Sequence, residues 1–395
     1  MSLLSHLREL PDRPWPQPPA ALRRGPFRAG EPVAPHDART ARLLGTAAGT
    51  TLLICLVTGL ISHLHQHPVS WFDLPSRPVR GYQITQGLHV ASGIAAVPLV
   101  LAKLWVVYPR LFAWPPARSL RHALERALLV PLVAGTLFEL TSGLLNVAQW
   151  YPWPFFFPRV HWAVAWVVAG SAVVHVLTKT AAGAGARLVG PQRDPSAQTS
   201  RRAVLVGAGT AAVAATLATA GQTVPALDAV SVLAPRRPGD APAGVPVNRT
   251  AADAGVRAAA TDPGWHLVVA GPRTLQLSLA DLAALPQHRA RLPIACVEGW
   301  SATAVWSGVR LRDVLDLAGV APGTHLRVVS LESAGIYTSS PVAPPTARDP
   351  LTLLATVLAG RPLTLDHGYP LRLIAPNRPG VQQTKWLARI EAVSQ

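Results

Sequence analysis

Cysteine, lysine and acidic residues are all scarce in this chain of 395 residues. It has two cysteines, Cys55 and Cys296, three lysines, and 20 acidic residues against 36 basic ones. Cys55 lies inside a long apolar run and Cys296 does not, so no disulfide is expected between them. Charged residues make up only 14% of the chain, while apolar residues make up 49%. A composition so poor in charge is typical of a protein partly embedded in lipid.

The net charge of +16 comes almost entirely from arginine. A chain this basic first suggests a nucleic-acid partner. The arginines flank apolar runs, however, and membrane topology accounts for that placement better. We therefore expect membrane lipid and no nucleic acid among the partners, and fractionation of the cell would separate the two interpretations.

Five apolar runs precede a less apolar C-terminal third. They lie at roughly residues 41–63, 84–107, 124–147, 160–182 and 203–221. A helix of about 20 residues crosses the ~30 Å of hydrocarbon in a bilayer, and the first four runs reach that length. The fifth is richer in alanine and glycine and less apolar. The pattern predicts an all-α transmembrane bundle of about five spans.

The distribution of arginine predicts the orientation of these spans. Arginines are dense before the first run and in the loops after the second and fourth, whereas the other two loops hold only Arg77, Arg80 and Arg159. Because positive residues favour the cytoplasmic side, the N-terminus is expected in the cytoplasm and residues 222–395 outside it. The abundance of alanine, proline and arginine favours a bacterial cytoplasmic membrane.

The fifth run begins with the stretch TSRRAVLVGAG, which carries Arg201 and Arg202. Paired arginines before a weakly apolar helix resemble a twin-arginine export signal, here internal to the chain. That route exports folded domains, which suits a domain loaded with a complex cofactor in the cytoplasm. The alternative interpretation is an ordinary positive charge that stops membrane insertion.

Histidines inside the apolar runs are candidate haem ligands, because ionisable residues are costly in lipid. His89 and His161 both lie near the outer ends of their runs, so two imidazoles from different helices would clamp one iron. His175 follows His161 by 14 residues, about 21 Å deeper along a helix, whereas Lys103 occupies the equivalent place after His89. His175 is therefore either an orphan or an alternative partner of His89. Glu139 in the third run is either a proton or quinone contact or a packed polar residue. The histidines that end the first run are more simply interfacial polar residues: His63, His65 and His67.

The C-terminal third changes to short alternating runs, which predict an α+β domain with a mixed or antiparallel sheet. WHLVVAG, TLQLSL, LPIACV, HLRVVSL, GIYTSS and PLRLIAP are expected as strands. LADLAALP, LRDVLDLAGV and DPLTLLATVLAG are expected as short helices. The predicted divisions are a Pro/Arg-rich tail (1–40), a four-helix haem b domain (41–182), a loop with the fifth span (183–221), a linker (222–260) and the α+β domain (261–395).

The stretch CVEGWS at residues 296–301, followed by Trp306, Gly308 and Leu311, resembles the molybdopterin-binding domain of the sulfite oxidase family. The stretch DHGYPLRLIAPNRPGVQQTKWLARIEAV at 366–393 resembles the second motif of that family. The likeness covers about 265–395. The membrane part is similar, more loosely, to cytochrome b561 or ferric-reductase-like haem subunits.

The resemblance implies a function for the lone thiol, since molybdenum prefers soft sulfur ligands. Cys296 would be the protein ligand of molybdenum and the catalytic centre. The resemblance further implies that the pterin or its phosphate contacts His367, Arg372, Gly380, Val381, Gln382 and Lys385. Asn248 and Arg249, in the stretch PVNRTAA, would supply a first cofactor loop.

The sequence departs from the sulfite-oxidising members, which hold the anion with arginines after the cysteine. Trp300 and Ser301 stand at that place, so the likeness favours the periplasmic methionine-sulfoxide-reductase branch. The expected function is a membrane-bound enzyme that passes electrons between quinone, haem b and an extracytoplasmic molybdenum centre. Oxygen-atom transfer with a small oxide or sulfur compound would occur at the metal. The alternatives are oxidation of a small sulfur compound and a non-catalytic electron-transfer or cofactor-binding protein.

Overall fold

Five long helices occupy the N-terminal part of the computed structural model, which describes residues 37–69, 71–112, 120–185, 195–220 and 225–393. They are α1 (Ala38–Gln66), α2 (Gly81–Leu111), α3 (Leu120–Ala148), α4 (Phe157–Gly185) and α5 (Pro195–Ala220). Each contains a stretch long and apolar enough to cross a membrane. The predicted layout of about five apolar helices followed by a sheet-containing domain is confirmed. Most of the predicted tail, 1–40, lies outside the described residues.

Asp37 caps the start of helix α1. The helix exposes the large apolar side chains that are expected of a membrane helix. Asp37 accepts a hydrogen bond from the backbone N–H of Thr40 at 2.8 Å, which satisfies one of the free donors of the first turn. Leu53 and Val57 remain exposed although they are large and apolar. In water such a surface is unfavourable, whereas in lipid it needs no covering.

The chain divides into two compact units, and the division passes through α1, α2 and α5. One unit comprises Ala91–Thr216 and the described residues up to Leu56. The other comprises Val57–Val90 and Leu217–Gln395. The C-terminal end of α1, the following loop and the first turns of α2 therefore fold with the C-terminal domain.

The C-terminal domain contains two sheets. The strands are β1 (Leu267–Ala270), β2 (Leu275–Leu277), β3 (Gln287–Ala295), β4 (Ser301–Arg310), β5 (His325–Ser330), β6 (Ser339–Val342), β7 (Leu353–Leu358), β8 (Arg361–Pro362), β9 (Arg372–Ile374) and β10 (Leu387–Val393). The first sheet has the order β2-β1-β10-β5-β6, and only β1 and β10 pair in parallel. The second has the antiparallel order β3-β4-β7-β8, with β9 also paired to β7. Short helices connect them: α6 (Arg257–Ala260), α7 (Leu279–Ala284), α8 (Leu311–Leu317) and α9 (Pro344–Ala347).

The prediction of a helix over DPLTLLATVLAG is wrong, because β7 crosses this stretch as a strand. Both faces of β7 are buried. Leu354 packs in the core shared with β1 and β5, while Leu353 and Ala355 pack in the core that contains Cys296. A strand covered on both sides shows no polar alternation, so its sequence cannot be distinguished from that of a buried helix by periodicity.

The expected strand at GIYTSS begins only at Ser339 and continues to Val342. Strand β4 pairs with β7 through a register shift between Ser307 and Gly308. A Cβ at Gly308 would lie 2.0 Å from the carbonyl oxygen of Leu354, so only glycine permits this approach of two backbones. Gly308, seven residues after the CVEGWS stretch, thus permits the packing of β4 against β7 in the second sheet.

Candidate functional site

Cys296 lies at the end of β3, in the tight turn that leads into β4. Its backbone N–H donates to the carbonyl of Trp300 at 2.9 Å, and its own carbonyl accepts from Gly299 at 3.2 Å. Gly299 has a φ of 88°, a conformation that glycine adopts without strain. The turn buries the thiol, and Cys296 is only 4% exposed.

Asn248 and Trp300 surround the sulfur with oriented polar groups. The Nδ2 of Asn248 donates to Cys296 Sγ at 2.8 Å. The indole Nε1 of Trp300 donates to Asn248 Oδ1 at 2.9 Å, which fixes the amide so that its N–H group faces the sulfur. An N–H group directed at sulfur favours the thiolate, the form that binds a metal.

The surroundings otherwise oppose the thiolate. Burial, together with the negative charge of Glu298, raises the pKa of Cys296 to about 12. Glu298 forms an ion pair with Arg236 at 3.1 Å. Burial also raises the pKa of the Tyr337 phenol, with smaller contributions from Cys296 and Glu298, which places this phenol in the electrostatic neighbourhood of the sulfur. A cation bound at the sulfur is what would hold Cys296 as a thiolate here.

The second motif carries two cations, the partly buried Lys385 and the buried Arg372, and neither forms an ion pair with a carboxylate in the described ranges. Lys385 donates to the carbonyls of Arg249 and Asp366 and lies 4.2 Å from the centre of the Trp386 ring. Burial, assisted by the nearby Arg372, lowers the pKa of Lys385 to about 7.

Arg372 donates to the carbonyl of His367 at 3.1 Å and stacks 5.3 Å from the ring of Trp306. Its Nε is buried and has no hydrogen-bond partner among the described residues. Burial lowers the pKa of this guanidinium to about 10. Buried cations are stable only when an anion or several acceptors compensate them, so this cluster fits a phosphate group.

Two further residues implied by the resemblance, His367 and Arg249, form contacts with other side chains and with the backbone of the domain. Both ring nitrogens of His367 are bonded to the protein, Nδ1 with Thr364 Oγ1 at 2.8 Å and Nε2 with the Val245 carbonyl at 2.9 Å. Because a carbonyl only accepts, Nε2 carries the hydrogen. Burial lowers the pKa of His367, which favours the neutral ring with its hydrogen on Nε2. Arg249 forms an ion pair with Glu332 at 3.2 Å.

The loop with Gly380, Val381 and Gln382 lies against the strand that carries Cys296. Pro379 forms a bridge with Ala295, and a Cβ at Gly380 would lie 2.8 Å from the Ala295 carbonyl oxygen. The loop can therefore approach the backbone next to Cys296 only with glycine at this position. The side chain of Gln382 is buried, and its Nε2 donates to the Gln66 carbonyl at 3.2 Å.

Comparison with known proteins identifies this part of the chain. Residues 254–395 match the family described as oxidoreductase molybdopterin binding domain. This region is a molybdopterin-binding oxidoreductase domain, and its sequence is similar to that of sulfite oxidases. Rat mitochondrial sulfite oxidase is 33% identical over 157 residues, which cover 33% of this chain and 29% of the relative. An uncharacterized oxidoreductase of Bacillus subtilis, YuiH, is 35% identical over 130 residues, which cover 32% of this chain and 64% of the relative. The chain thus spans less than two thirds of the length of these relatives. The sulfane dehydrogenase SoxCD from Paracoccus pantotrophus is 21% identical over 34% of this chain, with a TM-score of 0.31.

The molybdopterin domain also contains a buried cation that the sequence did not single out. Arg378 is 8% exposed and donates to the carbonyls of Gln382 and Pro341 and to Ser340 Oγ. Among the described residues it has no carboxylate partner. It lines one small pocket with Ala295, the neighbour of Cys296. In the sequence, the one sign of this cation was an arginine two residues before Gly380. From the sequence alone, that loop was considered for the backbone conformation of its glycine and not for its charged side chain.

The candidate haem ligands lie in different environments. In one unit, His89 Nδ1 contacts Thr58 Oγ1 at 3.3 Å, and Gly59 leaves room for the ring because a Cβ there would lie 3.1 Å from it. In the other unit, His161 Nδ1 lies 3.0 Å from Glu139 Oε2 and 3.4 Å from Ser142 Oγ.

The other intramembrane histidines are placed as follows. His175 lies half-buried on α4, one turn before Thr178, whose hydroxyl donates to its carbonyl. At the end of α1, the rings of His63 and His67 stack 4.4 Å apart, and His65 meets the ring of Tyr82 edge-on. Within the described ranges, no three His, Cys, Asp or Glu side chains are grouped as a metal site.

Proposed function

We propose that this chain is a membrane-bound molybdenum oxidoreductase that passes electrons between the quinone pool, haem b and an extracytoplasmic molybdenum centre. Its preferred reaction is the reduction of a small sulfoxide. Each sulfoxide oxygen that leaves as water consumes two electrons and two protons, and oxidation of one quinol to quinone supplies both. When bound, the molybdenum cofactor supplies the two-electron exchange of an oxygen atom.

The environment of Cys296 carries the proposal. The thiol is buried, receives an N–H group from Asn248 and lies next to a glycine loop that permits close backbone approach. The buried Arg372 and the partly buried Lys385 would hold the pterin phosphate, since neither forms an ion pair with a carboxylate in the described part of the chain. A soft ligand beside uncompensated cations fits an anionic, sulfur-bound metal cofactor.

Two contacts in the membrane helices support the haem assignment. A metal-bound histidine usually donates its other ring N–H group to an oxygen acceptor, which orients the ring. Glu139 is such an acceptor beside Nδ1 of His161, and Thr58 plays the same part beside Nδ1 of His89. Nε2 of each ring is then the nitrogen proposed to bind iron, and His175 remains the alternative ligand.

Metal analysis and spectroscopy of the full chain test this function. The chain is made in cells that assemble the pterin, and molybdenum, pterin and a reduced-minus-oxidised b-type spectrum are measured, followed by turnover of methionine sulfoxide with reduced viologen. Cys296→Ser is expected to lose molybdenum and turnover but keep the b-type spectrum. His89→Ala and His161→Ala are expected to lose the b-type spectrum but keep molybdenum and viologen-driven turnover. A chain without molybdenum contradicts the proposal, and a loaded chain that turns over no S- or N-oxide favours a non-catalytic electron carrier.

The proposed topology places the N-terminus in the cytoplasm and the molybdopterin domain outside, exported by the twin-arginine route. Arg201 and Arg202 lie within α5, at the start of its membrane-spanning stretch. The double variant Arg201→Lys/Arg202→Lys is expected to leave the domain protected from protease added outside the cell. Normal cleavage of the variant by that protease would contradict this route of export.

Oxidation of a small sulfur oxyanion is a second candidate reaction, favoured by Arg378. This buried guanidinium directly precedes Pro379, which forms a bridge with Ala295, the neighbour of Cys296. It is therefore the cation we assign to an anionic substrate, because Trp300 and Ser301 replace the arginines of sulfite-oxidising members. If sulfite is the substrate, Arg378→Met should raise its KM at least tenfold, as loss of one charge-assisted contact implies. An unchanged KM for sulfite, or no sulfite oxidation by the loaded chain, would exclude this candidate.

A further inference from the structure

The loop between α1 and α2 is tied to the molybdopterin domain by hydrogen bonds and ion pairs between polar side chains. Asp349, whose side chain is 3% exposed, accepts from Ser76 Oγ at 2.7 Å and from Arg77 Nε and Nη2 at 3.0 and 3.1 Å. Asp73 contacts His325 Nε2 at 2.9 Å. Bidentate contacts of this kind fix orientation as well as distance. The start of α2 is thereby held at a defined place on the domain.

Asn377 holds the first turn of α2 itself. Its Oδ1 accepts from the backbone N–H of Tyr82 at 2.7 Å, and its Nδ2 donates to the Pro75 carbonyl at 2.8 Å. Its own backbone N–H donates to the Val79 carbonyl at 3.1 Å. Three hydrogen bonds from one side chain and backbone leave little freedom for α2 to shift along the domain surface.

Two glutamines, one turn apart on α2, then reach the turn that holds Cys296. Gln83 Nε2 donates to Ser301 Oγ at 3.1 Å, and Gln86 Nε2 donates to the Val297 carbonyl at 3.4 Å. The Oε1 of Gln86 accepts from Ser62 Oγ at 3.1 Å, which turns the amide so that its N–H group faces Val297. Helix α2 thus contacts the turn at the residue after Cys296 and at the first residue of β4.

We propose that Gln86 and Gln83 are positioning residues that provide the contact through which electrons pass between the haem site on α2 and the molybdenum ligand. His89 follows Gln86 by three residues, on the same helix face and about 4.5 Å further along the axis. Val297 is bonded directly to Cys296. Covalent bonds and one hydrogen bond therefore connect the two proposed metal ligands, and electron tunnelling is faster along bonds than across a gap.

This inference rests on the proposed function, because it needs iron at His89 and molybdenum at Cys296. Electrons would cross one at a time, since a haem iron exchanges one electron, and two crossings would accompany each oxygen atom transferred. Each electron lost by one metal is gained by the other, so no further oxidant or reductant takes part in the crossing.

The test uses the full chain loaded with both groups and the variants Gln86→Met and Gln83→Met, which keep side-chain length but remove the donor. Thr85→Ala is the matched control, because the Thr85 hydroxyl donates only to carbonyls of its own helix, Gly81 and Tyr82. A photoreduced deazaflavin injects one electron, and the haem absorbance then reports the rate of exchange with molybdenum. Molybdenum content, haem content and the haem midpoint potential are measured on every sample.

We expect the rate of electron exchange to fall about fivefold in each glutamine variant. Loss of one hydrogen bond, worth about 1 kcal/mol, lowers the equilibrium constant for the contact between α2 and the Cys296 turn by about that factor. The metal contents, the haem potential and the rate in Thr85→Ala should remain as in the unaltered chain. A glutamine variant that is fully loaded and exchanges electrons at the unaltered rate overturns the inference and leaves the proposed function intact. If the unaltered chain lacks haem or molybdenum, or exchanges no electrons internally, the proposed function itself fails and the inference falls with it.

Discussion

Replacing Lys385 by methionine should separate the stability of the molybdopterin domain from its capacity to bind a cofactor. The ammonium group is partly buried and donates to two backbone carbonyls, but it forms no ion pair with a carboxylate in the described ranges. Burial is the main cause of its lowered pKa, about 7 against an ordinary value of 10.5, and the charges of Glu332 and Asp366 only partly oppose it. Without a bound anion, the folded domain therefore disfavours the charged form of this lysine.

The size and sign of the effect follow from that pKa. A fall from 10.5 to about 7 corresponds to roughly 5 kcal/mol of lost stability when the lysine is charged in both states. Because the folded pKa is the lower one, stability of the cofactor-free chain falls as pH drops from about 10.5 to 7 and is level below 7. Methionine removes this penalty but leaves two carbonyls without a donor, at roughly 1 kcal/mol each. The variant should then be more stable than the unaltered cofactor-free chain by roughly 3 kcal/mol at pH 6.

The assay is thermal unfolding of the cofactor-free chain in detergent between pH 6 and 10, followed by tryptophan fluorescence. Lys385→Met should have the higher Tm at pH 6, and the difference should shrink and change sign towards pH 10. Lys179→Met is the control, since the Lys179 side chain is 59% exposed and its removal should leave the Tm near that of the unaltered chain. When the chain is made in cells that assemble the pterin, Lys385→Met should retain little molybdenum. If Lys385→Met instead lowers the Tm at every pH, or keeps full molybdenum, our reasoning on a charge reserved for phosphate is wrong.

Two further predictions concern the turn and loop around the sulfur. Gly380→Ala places a methyl group 2.8 Å from the Ala295 carbonyl oxygen, so the loop must shift, and we expect a Tm several degrees lower and reduced molybdenum content; Gly323→Ala, where no atom lies within 4 Å, should change neither, and equal losses in the two variants would refute the packing argument. Because burial raises the pKa of Cys296 to about 12, the cofactor-free folded chain should react with iodoacetamide at pH 8 at least tenfold more slowly at Cys296 than the denatured chain does, as peptide mass spectrometry would show; rapid labelling of the folded thiol would contradict the assigned burial.

The layout of the chain could be predicted because its signals are local. Runs such as 41–63 and 84–107 exceed the length needed to cross a bilayer, and the helices that contain them extend three or four residues further at each end. Ser278, before α7, forms a capping box with Asp281, which marks a helix start in sequence as well as in structure. The motif at Cys296 was recognisable because a thiol, a glycine and a tryptophan within five residues form one self-contained turn.

What the sequence did not predict depends on distant partners. Strand β7 was mistaken for a helix because its two faces meet two different cores, and nothing within residues 349–360 records that. For the same reason, Arg378 and Gln86 were not singled out from the sequence. Arg378 donates a hydrogen bond to Pro341 and Gln86 donates one to Val297, and both acceptors lie far away along the chain. Contacts between segments separated by tens or hundreds of residues leave no periodic trace in the sequence.

The free-energy cost of burying charged and unpaired groups supports a cofactor site in this domain independently of the sequence motifs. Burial of an uncompensated cation or of an unpaired N–H group costs free energy, so such groups are few in a stable fold. Within the described part of this domain, unpaired buried N–H groups also occur at Trp265, Trp306 and Arg310. The two motifs, however, combine three different costs: the Nε of Arg372, which has no partner among the described residues, the partly buried ammonium of Lys385 and the thiol of Cys296 with its pKa raised to about 12. A phosphate would compensate the cations and a soft metal would hold the sulfur as thiolate, so one anionic metal cofactor relieves all three. A purely structural role for these residues would leave all three costs in place, and apolar side chains of similar size would make a more stable domain.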